Sequence, residues 1–312
     1  VSTLLAIGEC MVELVPTGIS ECKQSFAGDT YNALVYAKRF ANTLNCALFT
    51  AVGSDVLSAN MLKCWQQEGI NTQNVITTAD YNVGIYAIST DADGERSFDY
   101  WRNQSAAKHM MSLYTQKPFN LGLKESDWVF FSGISLGILD DESKQGLLTL
   151  LAALKKQGCT IAFDPNYRAR MWQSKSHAIE WLERAYALSN VVLPGLDDHR
   201  VLFGHSSIEE IVQYCTQFDI DEIVIKAGSA GMQVYCKDDL KASCPFTPAA
   251  KQVDSTAAGD SFAGTYLAAR MCAQNPQNAL EMADSVASQV VQHQGAILPL
   301  DVYQSLNISL GK

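Results

Sequence analysis

Residues 254–264 read DSTAAGDSFAG. Asp254 and Asp260 flank a run of small side chains. The segment that follows, DSFAGTYLAARMCA, places Phe262, Tyr266, Ala269 and Met271 on one apolar helical face. The pattern is a loop entering a helix, with Ser255 or Thr256 available as a cap and Gly259 available for a tight turn. A helix N-terminus presents free N–H groups and a partial positive charge, so it attracts anions. Small side chains at Ala257, Ala258 and Gly259 would let a phosphate reach those groups. Asp260 then stands at the mouth of an anion hole, placed to take the proton of a substrate hydroxyl attacking a γ-phosphate. Asp254 lies too far along the loop to share that proton and suits a structural or cation-binding role. A lone Asp near a helix start is most often only a cap. The Gly259-Asp260 pair in a small-residue loop weakens that plainer reading without removing it.

Other chemistries lack their signatures. There is no GxxxxGK[ST], no GxGxxG after the first apolar run and no HExxH. A P-loop enzyme and a dinucleotide-dependent oxidoreductase are both disfavoured. The net charge of -10 argues against a general nucleic-acid binder. Hydrophobic content of 47% and charged content of 18% are those of a soluble globular protein, and no apolar run reaches the length of a membrane span. The nine cysteines form no CxxC pair, which fits a reducing cytoplasm. The N-terminal VSTLLAIGECMVEL has no basic start and reads as a first strand, not a signal peptide.

The elements that must position the loop alternate. Strands are expected at 3–8, 46–53, 128–133, 160–166, 190–195 and 222–228, with helical spacing at 141–157, 174–189 and 206–218. The last four strands recur at intervals of about thirty residues, the length of a βα unit. The fold class is therefore α/β, a mostly parallel central sheet flanked by helices on both faces. Two stretches, about 9–27 and 82–102, break the alternation. VGIYAIST and RSFDYWRN flank DADGE, whose Asp-Gly pair suggests a hairpin turn. These stretches are expected to form a small β lid, the alternative being an antiparallel edge of the same sheet. In the C-terminal segment ALEMADSVASQVVQHQG, small residues including Ser288 could let adenine lie against a helix; close helix–sheet packing is the plainer reading.

The loop DSTAAGD resembles the C-terminal signature of the ribokinase-like (pfkB) carbohydrate kinases, D-T-x-G-A-G-D, with Ala257 where Gly is usual. FAGDTYNALVYAKRF is similar to the family's sugar-binding element G-G-D/A-x-x-N, with Ala27 for the first Gly. FDYWRNQSAA, FDPNYRARMW, GDTYNALVYA and QHQGAILP resemble the branch that phosphorylates 2-keto-3-deoxygluconate. The similarity runs from IGECMVEL to GAILP, nearly the whole chain. It implies a single ribokinase-like domain over 1–312 with a β lid, and transfer from ATP to a sugar hydroxyl with Mg2+. By the same resemblance Asp260 is the catalytic base and Ala257, Ala258 and Gly259 form the anion hole. Gly28, Asp29 and Asn32 match the sugar-binding element. Tyr86, Tyr100 and Arg102 match lid contacts, and Arg168 the arginine of the DPN-x-R stretch. Lys226, Gly228 and Gly231 resemble the nucleotide-side strand and turn; Ser288 joins them only through the small-residue reading of the C-terminal helix. Asp254 and Thr256 match positions that help hold a monovalent cation, implying K+. Asp198 is implied near Mg2+ through water, although Gly195 replaces the usual Asn before it. Family lids often form dimer contacts, so a homo-oligomer through the lid is among the implied partners.

A keto-deoxy sugar acid carries a carboxylate, and a planar guanidinium reads a carboxylate better than an ammonium does. Arg102 and Arg168 are expected to approach it from the lid and from the sheet. Surface ion pairing is the plain alternative for each. Tyr86 and Tyr100 are expected to face the sugar, or else to pack the lid. The rival functions are a kinase for a neutral sugar such as fructose and, outside enzymes, a non-catalytic sugar sensor on the same fold.

Overall fold

Runs of β-branched and aromatic residues form the strands, and their alternate side chains feed two separate cores. In this computed structural model, which describes residues 1–90, 96–308 and 310, thirteen strands make two sheets. The large sheet contains β1 (Thr3–Ile7), β4 (Asn45–Val52), β5 (Val75–Thr77), β8 (Trp128–Ser132), β9 (Thr160–Asp164), β10 (Val191–Val192), β11 (Glu222–Lys226), β12 (Met232–Cys236) and β13 (Asp239–Cys244). Its order is β13-β12-β11-β10-β9-β8-β1-β4-β5. All pairs are parallel except β11–β12 and β12–β13, which form an antiparallel edge. Leu5 and Ile7 of β1 enter one core; Leu4 and Ala6 enter the other. That division is the mark of a strand buried on both faces. Helices Asp141–Lys156 and Lys175–Leu188 pack on the first face. Helices Asp29–Phe40, Ala258–Met271 and Pro276–Val290 pack on the second.

Two expected elements differ. The strand read at 190–195 keeps regular pairing only at Val191–Val192. Pro194 has no N–H to give, although its carbonyl still accepts from Lys226 N–H at 2.9 Å. The helix read at 206–218 is Ile208–Cys215, preceded by a separate helix, Leu196–Phe203. Gly204, left-handed at φ 79, ends the first, and the Ser207 side chain caps the second.

The stretches at 9–27 and 82–102 supply β2 (Met11–Gly18), β3 (Glu21–Ala27), β6 (Ile85–Thr90) and β7 (Arg96–Trp101). They form their own sheet, ordered β3-β2-β6-β7, in which β2 runs parallel to β6. The Asp-Gly turn read at 91–95 lies outside the described residues. Cross-strand pairing sets Tyr86 directly opposite Tyr100.

One close approach governs how the second core is assembled. Gly264, in helix Ala258–Met271, meets helix Asp29–Phe40 so closely that an added Cβ would lie 1.9 Å from the Ala33 carbonyl oxygen. Backbone stands there, so the helices must part to admit a methyl group. Gly264→Ala is expected to lower stability by about 1–3 kcal/mol, read by urea unfolding. Gly259→Ala, whose Cβ would enter open space, is the control and should leave stability nearly unchanged.

Candidate active site

The site lies beyond the carboxyl ends of the parallel strands, where the chain leaves β1, β9 and β11. After β3, Gly28 passes tightly under the end of β1: a Cβ there would lie 2.0 Å from the Glu9 carbonyl oxygen. This approach starts the helix Asp29–Phe40 and faces Asn32 toward the helix that begins at Ala258. Gly28 N–H donates to Asn32 Oδ1 at 3.3 Å, and Asn32 Nδ2 donates to Asp260 Oδ2 at 2.9 Å. Beyond β9, Asn166 takes a positive φ of 31°. Its side chain donates to Asp29 Oδ2 at 2.9 Å, and its N–H to Asp164 Oδ1 at 3.2 Å. Lys226, at the end of β11, donates to Asp164 Oδ2 at 2.5 Å. A cavity of about 410 Å³ is lined by all of these side chains together with Gly28, Tyr86, Tyr100, Arg168, Ala257 and Gly259. Asp29 Oδ1 is buried without a hydrogen-bond partner. A buried acceptor left unpaired is costly, and a substrate hydroxyl would satisfy it.

The loop before Asp260 turns differently from the sequence expectation. Neither Ser255 nor Thr256 caps the helix; the N-cap is Ala257, with no side-chain hydrogen bond. The left-handed residue is also Ala257, at φ 60, rather than Gly259. The smallness of Gly259 instead keeps the mouth of the helix open. Ala258 is the first helical residue, so its N–H and its neighbours' are the free donors. Asp254 is buried, accepting from Thr256 N–H at 2.9 Å and Gly295 N–H at 2.8 Å. It pins the loop to the segment after the last long helix.

Burial pushes the Asp260 carboxyl up, and the nearby Asp29 carboxylate pushes it further, to about 7; the Asn32 hydrogen bond and Lys226 oppose the rise. Asp29 is raised for the same first reason, burial, against its own hydrogen bonds. A carboxyl poised near neutrality can accept a proton at working pH.

The remaining expected residues divide. Tyr86 and Tyr100 stack with centroids 5.7 Å apart and line the cavity. The Tyr86 hydroxyl, however, donates to Glu13, so Tyr86 offers the cavity a ring rather than a free hydroxyl. Arg168 lines the cavity, one guanidinium nitrogen donating to the Tyr167 carbonyl at 2.8 Å. Arg102 does not line it. It pairs with Glu9, whose side chain is almost wholly buried, and faces an adjoining recess. The expected convergence of Arg102 and Arg168 in one cavity is thus corrected: the first guanidinium is held back by a buried carboxylate. Asp198 lies outside the cavity lining, accepting from Tyr167 N–H at 3.1 Å, and is raised by burial and by Asp164. Gly228 and Gly231 make a tight turn at φ 54 and 84, outside the cavity lining. A Cβ on Gly231 would meet the Cys244 carbonyl at 2.5 Å. Ser288, half-buried on helix Pro276–Val290, also lies outside the lining.

Sequence reasoning missed Asp164, Asn166 and Arg170 as site residues. The signal for the first two was their place in DPN, at the carboxyl end of a parallel strand. Among the described residues, no three His, Cys, Asp or Glu side chains converge to hold a metal ion. A divalent ion carried on nucleotide phosphates needs only one or two protein carboxylates, and Asp164 and Asp198 are available. No helix among the described residues is long and apolar enough to cross a membrane.

A model of the pfkB family of carbohydrate kinases matches residues 1–302. A 2-dehydro-3-deoxygluconokinase of Dickeya dadantii (strain 3937) is 36% identical over 299 residues, 95% of this chain and 96% of that protein. One from Escherichia coli K12 is 34% identical over 300 residues, 95% of this chain and 97% of its own. The crystal structure of a fructokinase from Vibrio cholerae O395, bound to fructose, ADP and calcium, superposes with a TM-score of 0.82 at 24% identity. That superposition covers 98% of this chain and 99% of the fructokinase. The shared fold is ribokinase-like.

Two outcomes follow from the geometry of the loop. Asp260 ionises in the unfolded chain near pH 4 but in the folded protein only near 7. Its contribution therefore turns against the folded state as pH rises between those values, then levels off. Asp260→Asn should be more stable than wild type at pH 8, the gap closing toward pH 4, by urea unfolding at both. Equal gaps would mean the carboxylate is not desolvated. Ala257→Gly, which relieves a left-handed alanine, should raise stability by about 1 kcal/mol.

Proposed function

The chain belongs to the pfkB family of carbohydrate kinases, and from that premise we propose that it phosphorylates 2-keto-3-deoxygluconate at the 6-hydroxyl, with ATP as donor. The products are the 6-phosphate and ADP. The observation that carries the chemistry is Asp260, held by Asn32 in a cavity that also contains Lys226 and the open start of a helix. The identity of more than a third to a named 2-dehydro-3-deoxygluconokinase supports the substrate.

Asp260 accepts the proton of the attacking hydroxyl. Because phosphoryl transfer has a loose transition state, that acceptance comes late, and most of the work is positioning and charge neutralisation. Lys226 and the N–H groups at Ala258 and Gly259 face the transferring phosphoryl oxygens. Asp29, through its unpaired oxygen, and Asn32 hold sugar hydroxyls. Arg168 faces the carboxylate. The β2-β3-β6-β7 sheet serves as a lid whose Tyr86 and Tyr100 rings cover the sugar and exclude water. The nucleotide lies toward the Gly228–Gly231 turn and Ser288. A divalent ion, Mg2+ in this proposal, would be held by the nucleotide phosphates with Asp198 or Asp164 and would neutralise phosphate charge. The loop at Asp254 and Thr256 is the proposed K+ site.

A neutral-sugar kinase is the reading to beat, since the fructokinase shares the fold. A non-catalytic sensor would have no use for a carboxyl poised near 7 in the anion hole. The test is ADP release with Mg-ATP, offering 2-keto-3-deoxygluconate and fructose in parallel. The acid should be the better substrate by kcat/KM; a preference for fructose would sink the proposed substrate. Asp260→Asn should lose roughly 10²–10⁴ in kcat. The acid limb of wild-type kcat/KM should fall near pH 7, activity rising with pH. Arg168→Leu should raise KM for the acid about tenfold. Arg102→Leu is a poorer probe, because it strands buried Glu9 and costs stability.

A further inference from the structure

We propose that Arg170 is a specificity residue for the acid, reading the substrate carboxylate with help from Lys108. This rests on the sugar-acid reading above. Beside the sugar cavity lies a recess of about 250 Å³. Its described lining holds three cations, Arg102, Lys108 and Arg170, and no carboxylate. In a chain of net charge -10, such a concentration of positive charge marks a place built for an anion. Arg170 and Tyr100 line both the recess and the cavity that contains Asp260, so the two spaces meet at these side chains.

The three cations are not equivalent. Arg102 is already paired with Glu9. The side chains of Arg170 and Lys108 make no ion pair or hydrogen bond among the described residues. Arg170 comes from the short turn of helix Ala169–Met171 just after β9. Its guanidinium carbon lies 4.2 Å from the centre of the Tyr100 ring, whereas that of Arg102 lies 5.8 Å away. Contact with the ring face holds the guanidinium plane while leaving its N–H edges free. A flat, oriented and unpaired donor fork at the border of the sugar cavity suits a carboxylate. Lys108 adds a point charge from the short helix Ala106–His109. The contact also joins the small sheet, through Tyr100, to the rim of the large one.

The test compares wild type, Arg170→Leu, Arg170→Lys and Lys108→Met on 2-keto-3-deoxygluconate and on its neutral carboxamide. Arg170→Leu should raise KM for the acid about tenfold or more and move kcat far less. It should leave KM for the carboxamide unchanged. Arg170→Lys should recover only part of the loss, and Lys108→Met should raise KM by less than Arg170→Leu does. Circular dichroism checks that the variants fold, as expected for an exposed side chain without hydrogen bonds. An unchanged KM for the acid in Arg170→Leu overturns the inference. So does an equal rise for acid and carboxamide, which would mark Arg170 as merely packing against Tyr100. Failure of the wild type itself to phosphorylate the acid would instead overturn the substrate reading on which this one stands.

Discussion

The hydrogen bond from Asn32 to Asp260 joins two parts of the chain separated by 228 residues. Nothing local could make it. Asn32 sits on a helix started by the tight passage of Gly28 under β1, and Asp260 on a helix started by a left-handed alanine. The two helices lie close because Gly264 presents no side chain to Ala33. The base of the proposed reaction is therefore placed by two glycines at which backbone meets backbone, both remote from any proton. A core assembled that way transmits small displacements, since close-packed interiors do not absorb them. A fraction of an ångström between the helices would be felt at the carboxyl.

The electrostatics follow from the same convergence. Asp29, Asp164 and Asp260 are brought to one cavity, and Lys226 is bonded to only one of them. Burial raises Asp29 and Asp260, and neighbouring carboxylates raise Asp260 further. Asp260 rises because it is buried and because Asp29 lies near, and the amide hydrogen bond from Asn32 offsets only part of that. Asp164, bonded to both Lys226 and the Asn166 N–H, is compensated directly. A divalent ion arriving with the nucleotide would add positive charge beside these carboxylates. A site arranged like this discourages ionisation of the base before the donor is bound, which suits an enzyme that must not spend ATP on water.

Much of this was legible in the sequence. The alternation of strands and helices, the two interrupting stretches and the small-residue loop at 254–260 all follow from local pattern. What escaped depended on who stands opposite whom. The left-handed turn fell on Ala257 because the loop's direction is set by Asp254 gripping Gly295, a contact forty-one residues away. Arg102 looked like a free donor because nothing in the sequence reveals that Glu9 lies buried beside it. Arg170 stands two residues past the arginine that the motif highlighted, and no local pattern singles it out. Only the approach of Tyr100 from a different sheet gives it an address. Tyr86 lines the cavity, but its hydroxyl is taken by Glu13.

The two glutamates of the small sheet's root deserve the same physical reading. Glu9 and Glu13 are both buried, one leaving β1 and the other in β2. Inward charges on a sheet are costly unless paired, and each is paired with a side chain from β6 or the end of β7: Glu13 with Tyr86, Glu9 with Arg102. Sliding the hairpin by one residue would turn both partners to the opposite face, stranding Glu9 and leaving Glu13 with Ser25 alone. The pairs therefore fix the register that sets Tyr86 opposite Tyr100 and the aromatic faces toward the cavity. They also make Arg102 expensive to borrow, because any substrate carboxylate must compete with Glu9 for it. A cation that answers to no buried carboxylate, just beyond β9 of the large sheet, can meet the acid without that competition, and Arg170 is such a cation.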